Sequence, residues 1–102
     1  MAEASRKIYI GIDPGYAITG YGIIAKTGNR LEVIDYGVIT TKAGTEFPQR
    51  LLTINEKTKY LLETYKPDYM SIEELFLSNN RTTAMGAAHA RGVVLLEAAR
   101  AG

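Results

Sequence analysis

The stretch that decides the fold is KIYIGIDPGYAITGYGII, which spans residues 7–24. Its first part, Lys7–Asp13, is rich in β-branched and aromatic residues and stops at a Pro-Gly pair, which is typical of a strand followed by a turn. A second run of the same kind, Gly20–Lys26, predicts a strand that returns beside the first. The hairpin therefore presents Asp13 at the carboxyl end of its first strand.

Outside this hairpin, the hydrophobic periodicity predicts four further elements. They are a strand at residues 31–40, a helix from about Pro48 to Tyr65, a strand at Asp68–Glu73 and an Ala-rich helix from about Arg81 to Arg100. Proline suits the first turn of a helix, and Lys66-Pro67 ends the first helix because a proline disfavours the α region for the residue before it. The order βββαβα favours an α/β fold with a sheet of mixed direction, in which sites usually lie at the carboxyl ends of strands.

Composition and charge narrow the classes of protein. The 102 residues are 46% hydrophobic and 23% charged, the range of one globular domain, which we place at residues 1–102. No apolar run is long enough to cross a membrane and residues 1–7 lack the apolar core of a signal peptide, so we expect a cytoplasmic location. With no cysteine and a single histidine, His89, any metal must be held by oxygen. The net charge of +1 neither indicates nor excludes nucleic acid.

Acidic residues at two strand ends are candidates for a metal site. Asp13 is followed by Pro14-Gly15, where small residues leave room for a hard divalent cation and phosphate oxygens, but Asp before Pro-Gly is equally a common turn former. Glu73 and Glu74 follow one another, so their side chains should point to opposite faces and only one can share a site with Asp13. Two carboxylates on neighbouring strands are the minimum for a magnesium site. The competing explanation is that one of the two acidic residues is a solvated surface group and the other has a structural role.

Five blocks of the sequence carry a family resemblance. They are GIDPG at residues 11–15, TGYG at 19–22, SIEELF at 71–76, NRTTA at 80–84 and ARGV at 90–93. In order and spacing they resemble the RuvC family of bacterial crossover junction endodeoxyribonucleases, the Holliday-junction resolvases. The resemblance implies a ribonuclease H-like fold and a homodimer that binds four-way junction DNA. It also implies symmetrical nicking with Mg²⁺, for which Mn²⁺ can substitute, in DNA recombination and repair, and a complex with a branch-migration helicase.

Carried over residue by residue, the resemblance assigns roles to individual positions. Asp13 and Glu73 resemble the catalytic carboxylates that coordinate the metal. Phe76 resembles an aromatic that contacts a base near the junction centre, although a core position would also explain it. Three more positions are candidates for contacts with the DNA backbone, or else are a helix cap and solvated charges: Asn80, Arg81 and Arg91.

Small residues recur four positions apart on the last helix. Gly86 pairs with Ala90, and Ala88 with Gly92. Such pairs let a helix approach a neighbour closely, and that neighbour is either its own sheet or a second subunit. We expect His89 to be a packed or surface residue without a catalytic role.

The sequence departs from the family pattern in one respect. The family's chain continues to a further strand and a helix with two more aspartates of the metal site, and no residue here matches them. We therefore expect residues 1–102 alone to be inactive. Two other functions stay open: a non-catalytic fragment that binds branched DNA or dimerises, and an actin-like phosphotransferase. The second would use the Asp13 hairpin for phosphate but leaves residues 73–76 unexplained.

Overall fold

The computed structural model of the chain describes residues 5–74 and 81–102, with side chains from Thr83 onward in the second segment. Its elements follow the predicted order βββαβα. They are β1 (Arg6–Asp13), β2 (Ile18–Thr27), β3 (Arg30–Thr40), α1 (Phe47–Tyr65), β4 (Tyr69–Ile72) and α2 (Arg81–Ala101). Pro48 lies in the first turn of α1, as its position in the sequence predicts.

The four strands form one sheet in the order β3-β2-β1-β4. β1, β2 and β3 are a meander of antiparallel neighbours, whereas β4 runs parallel to β1 after the crossover through α1. The predicted α/β fold with a mixed sheet is thus confirmed. The crossover brings the carboxyl end of β4 beside the carboxyl end of β1.

Alternate side chains of the strands face the two helices and form the core. Ile10 of β1 and Ile23 of β2 are paired in the register, and both are fully buried. They pack in one cluster with Ile54 of α1 and with Ala90 and Val94 of α2. Burial of these aliphatic side chains is the main stabilising contribution and fixes both helices on one face of the sheet.

The path from α1 into β4 sets the register of the parallel pair. Lys66 adopts the left-handed conformation (φ 47°) and its N–H donates to the carbonyl of Leu62, which closes the helix directly before Pro67. Asp68 then engages Ile8 twice, because its backbone N–H donates to the Ile8 carbonyl at 2.7 Å and its carboxylate accepts from the Ile8 N–H at 2.8 Å. This double contact aligns β4 with β1 from its first residue.

β4 ends one residue earlier than predicted. The Glu73 N–H still donates to the Ile12 carbonyl at 3.0 Å, as the sheet ladder requires. The Glu73 carbonyl instead accepts from the Nε–H of Arg91 on α2, also at 3.0 Å, and so leaves the ladder. Neither helix in the described part of the chain is long and apolar enough to cross a membrane.

Candidate metal centre

Asp13 stands at the last position of β1, where the chain turns tightly. The hydroxyl of Thr19 donates to the Gly15 carbonyl and accepts from the Gly15 N–H, so one buried side chain closes the turn. A Cβ on Gly15 would lie 2.3 Å from the Ile18 carbonyl oxygen, which only glycine avoids. Asp13 itself pairs with Gly20 in the register and is exposed.

Glu73 reaches the same place from the neighbouring strand. Because Ile72 pairs with Ile12 in the parallel register, the next residue of each strand comes to the same edge of the sheet. The two carboxyl groups are close enough for Asp13 to affect the pKa of Glu73. The structure thus brings Asp13 and Glu73 together, as their positions at strand ends predict.

The pair borders a shallow groove of about 300 Å³ on the sheet face away from the helices. The residues that line it are Gly11, Ile12, Asp13, Gly20, Tyr21, Gly22, Ser71 and Glu73. Gly11 and Gly22 are paired across β1 and β2, and a Cβ on either would meet no atom within 4 Å. The floor of the groove is therefore bare backbone, over which another molecule can approach the sheet closely.

Asp13 raises the pKa of the neighbouring Glu73 carboxyl group. The hydrogen bond with Asp13 raises the pKa of Glu73 above its ordinary value of 4.5, and the negative charge of Asp13 and partial desolvation raise this pKa further. A divalent cation between the two side chains would offset the negative charge that raises this pKa, and carboxylate oxygens are the ligands that Mg²⁺ prefers. The pair therefore fits such an ion, although no third His, Cys, Asp or Glu joins it within residues 5–74 and 81–102.

The other sequence-predicted site residues have different positions. Glu74 does not line the groove, which agrees with the expected opposite orientation of the two glutamates. Arg91 lies beside the pair, through its contact with the Glu73 carbonyl. Phe76 and Asn80 lie outside the described residues. Arg81 begins α2, but its side chain lies outside them too.

A group of side chains that the motifs did not single out anchors the Asp13 turn. The Tyr16 ring lies under the guanidinium of Arg50 (5.0 Å to the ring centroid) and against the edge of Phe47 at 5.7 Å. Arg50 Nε donates to the Thr41 hydroxyl at 2.8 Å, and that hydroxyl donates to the Tyr16 carbonyl. Phe47 also contacts the His89 ring edge to face, so His89 is a packing residue at the surface, as expected.

The comparisons with known proteins agree with this geometry. The family model of the crossover junction endodeoxyribonuclease RuvC matches residues 9–102, nearly the whole chain. The chain belongs to the RuvC family. The proteins that carry the family name are DNA endonucleases, and the match includes both strand ends that carry the carboxylates.

Individual relatives are longer than this chain. RuvC of Ruminiclostridium cellulolyticum is 47% identical over 95 residues, which cover 93% of this chain and 57% of that protein. RuvC of Petrotoga mobilis is 49% identical over 89 residues, which cover 87% of this chain and 55% of that protein. The chain thus spans somewhat more than half the length of the curated relatives it matches.

A solved structure of a RuvC protein also matches this chain. RuvC of T. thermophilus in complex with a Holliday junction substrate superposes with a TM-score of 0.87 at 27% identity, over 94% of this chain and 59% of that one. This match confirms the expected ribonuclease H-like fold. A PPX-GPPA enzyme of Aquifex aeolicus superposes with a TM-score of 0.57 at 15% identity over 34% of its length, which is a likeness of fold alone.

Proposed function

We propose that this chain is the part of a Holliday-junction endonuclease that supplies two of its metal-binding carboxylates. The observation that carries the proposal is the Asp13–Glu73 pair in a groove floored by glycine, in a chain of the RuvC family. The substrate is four-way junction DNA, the reaction is symmetrical nicking of two strands, and the setting is DNA recombination and repair in the cytoplasm.

Asp13 and Glu73 would hold Mg²⁺, with Mn²⁺ as a substitute. When bound, such ions activate the attacking water and stabilise the leaving oxygen of the phosphodiester. The residues of this chain contribute the geometry. Asp13 and Glu73 gather negative charge at one edge of the sheet, and Gly11 and Gly22 leave the backbone open so that a phosphate can come close to it. Two further aspartates, which the family resemblance implies, would complete the ligand set.

Contacts with DNA and with a second protomer extend the proposal. Phe76 would stack on or wedge beside a base at the junction centre, and three more residues would contact the backbone: Asn80, Arg81 and Arg91. The exposed small positions Ala88 and Gly92 on α2 support a homodimer packed through this helix. The domain at residues 1–102 would thus be one part of a dimeric, ribonuclease H-like nuclease that works with a branch-migration helicase.

A second candidate function is a fragment that binds branched DNA or dimerises without cutting. The observation that favours it is that the described residues bring only two carboxylates together, whereas two-metal chemistry uses more. The actin-like phosphotransferase reading is weaker, because the PPX-GPPA likeness concerns fold alone while the family model covers both carboxylates.

The test uses an extended chain, which we define as residues 1–102 followed by the part of the Ruminiclostridium relative beyond the matched region. Asp13→Asn and Glu73→Gln should each lower the rate of junction cleavage at least about a hundredfold, which exceeds the loss typical of an outer-shell partner. Junction affinity in EDTA should change little, because phosphate contacts supply most of it. The measurements are single-turnover cleavage of a synthetic four-way junction with Mg²⁺ and a gel-shift titration.

Glu74→Gln is the matched control, because it removes the neighbouring carboxylate that does not line the groove. It should cleave like the parent chain. If Asp13→Asn lost junction binding together with cleavage, Asp13 would be a structural residue. If Glu74→Gln were as damaging as Glu73→Gln, the two glutamates would have to exchange roles.

A further inference from the structure

Arg91 makes a contact that its sequence block does not explain. Its Nε–H donates to the backbone carbonyl of Glu73 at 3.0 Å, across 18 positions of the sequence. The contact joins α2 to the first residue after β4. That residue carries one of the two carboxylates in the groove.

The backbone of Glu73 is held from both sides. Its N–H donates to the Ile12 carbonyl, one residue before Asp13, and its carbonyl accepts from Arg91. The first bond ties Glu73 to the strand that carries Asp13. The second ties the Glu73 carbonyl, which makes no ladder bond, to α2 directly after the last residue of β4.

Arg91 lies on a helix, α2, that is anchored in the hydrophobic core. Ala90 and Val94, on either side of Arg91 in α2, are fully buried in the core with Ile10 and Ile23. Gly86 lets the same helix rest against the Tyr16 ring of the Asp13 turn. A hydrogen bond from such an element fixes its acceptor more precisely than one from a loop would.

We propose that Arg91 is a positioning residue for the metal site, which it serves by fixing the Glu73 backbone so that the Glu73 carboxylate stays opposite Asp13. The acceptor is a neutral carbonyl, so the contact sets geometry rather than neutralising the carboxylates. The proposal rests on the proposed function of the Asp13–Glu73 pair and gives Arg91 a role in addition to the DNA-backbone contact proposed above. Outer partners of this kind typically change metal affinity by roughly 10- to 100-fold.

The experiment measures Mn²⁺ binding to the 102-residue chain by water-proton relaxation, which needs no cleavage activity. Arg91→Ala should raise the Mn²⁺ dissociation constant about tenfold, the lower end of that range. Arg91→Lys should recover part of the affinity, since lysine can donate one hydrogen bond but lacks the planar fork. In the Glu73→Gln background, Arg91→Ala should have little further effect, because the residue acts through Glu73.

Arg100→Ala is the matched control. Arg100 is an arginine of the same helix whose ion pair is with Glu97, so its loss changes the net charge equally without touching Glu73. Thermal melts of all variants identify any that are unfolded, and the Arg91→Lys variant keeps the test decisive if Arg91→Ala is among them.

The outcomes separate this inference from the function on which it rests. If Glu73→Gln binds Mn²⁺ as tightly as the parent chain, the proposed metal site fails and this inference with it. If Glu73→Gln loses affinity while the Arg91 variants keep it, only the inference is overturned. Unchanged Mn²⁺ affinity with weaker junction binding in EDTA would leave Arg91 with the DNA contact alone and overturn the inference. If Arg100→Ala lowered the affinity as much as Arg91→Ala, the effect would be one of charge alone, which would also overturn it.

Discussion

At the scale of single residues, the raised pKa of Glu73 has a consequence for folding. The group binds a proton more tightly in the folded chain than in the unfolded one, so its contribution to stability is complete below about pH 4.5 and is lost as the pH rises through the raised pKa. At pH 7 without a divalent cation, the Asp13–Glu73 pair is therefore a destabilising feature. Sites that bind ligands commonly lower stability in this way.

Glu73→Gln should raise the melting temperature at pH 7 in EDTA, because the amide can still donate to Asp13 but carries no charge. The advantage over the parent chain should shrink as the pH is lowered toward 4. Adding Mg²⁺ should raise the melting temperature of the parent chain more than that of the variant. Melts between pH 4 and 8 test this, and a variant that is less stable at pH 7 in EDTA would contradict it.

Residue chemistry at the site is only partly visible in the sequence. Asp13 and Glu73 stand out because each follows an apolar run that ends at a turn signal, and strand ends of this kind meet at one edge of a sheet. The Arg91 contact with Glu73 has no such signal, since a hydrogen bond to a backbone carbonyl leaves no requirement on the acceptor's side-chain type. Nothing in the sequence distinguishes Arg50, which lies over Tyr16, from the other basic residues.

At the scale of elements, α2 uses its glycines differently on its two sides. Gly86 is buried and a Cβ there would lie 2.4 Å from Cδ1 of Tyr16, whereas a Cβ on the exposed Gly92 would meet no atom within 4 Å. Gly86 and Ala90 thus serve the approach of the helix to its own domain. Ala88 and Gly92 remain on the outer side.

Gly86→Ala should destabilise the chain by roughly 1 to 3 kcal/mol, since the Tyr16 ring is held by Arg50 and Phe47 and cannot move away cheaply. The matched change Gly92→Ala should instead stabilise it by up to about 1 kcal/mol through helix propensity. Urea unfolding of the two variants measures both effects. Equal effects of the same sign would show that helix propensity, not the contact with Tyr16, decides the role of Gly86.

The hairpin of β1 and β2 and the limits of α1 were accessible from the sequence because local signals determine them: a Pro-Gly turn, a proline in the first helical turn, and Lys66-Pro67 at the end. The early end of β4 was not, because it depends on where one carbonyl finds its donor on another element. The sequence also does not determine the face on which α2 packs, since its small residues occur on two sides.

At the scale of the whole molecule, the 102-residue chain should not cleave DNA at a useful rate, even in ample Mg²⁺. Two carboxylates can hold an ion only loosely, and the in-line displacement needs a second ion at the leaving oxygen. The extended chain should cleave the same four-way junction. The measurement is a side-by-side cleavage assay of the two chains at equal concentration, with the extended Asp13→Asn variant as the blank.

Comparable cutting by the short chain would show that Asp13 and Glu73 suffice, and the ligand set would have to be revised.

The family itself could be recognised from the sequence, because five blocks in register are spread from residue 11 to residue 93 and the family model spans residues 9–102. The mutual position of the carboxylates followed from the crossover topology. The contacts that join the helices to the strand ends, such as that of Arg91 with Glu73, could be found only from the structure.

The glycines on the floor of the groove, Gly11 and Gly22, are not required by packing within the described protein, so their small size matters only for what enters the groove. A side chain at position 22 would collide with nothing in the described protein and yet would stand where an incoming molecule must lie. Because the chain has no cysteine, Gly22→Cys would place a unique thiol there without competing reactive sites. A bulky group attached to that thiol would fill the space beside the two acids, so it would keep an incoming ligand out of the groove while leaving the packing of the described protein unchanged.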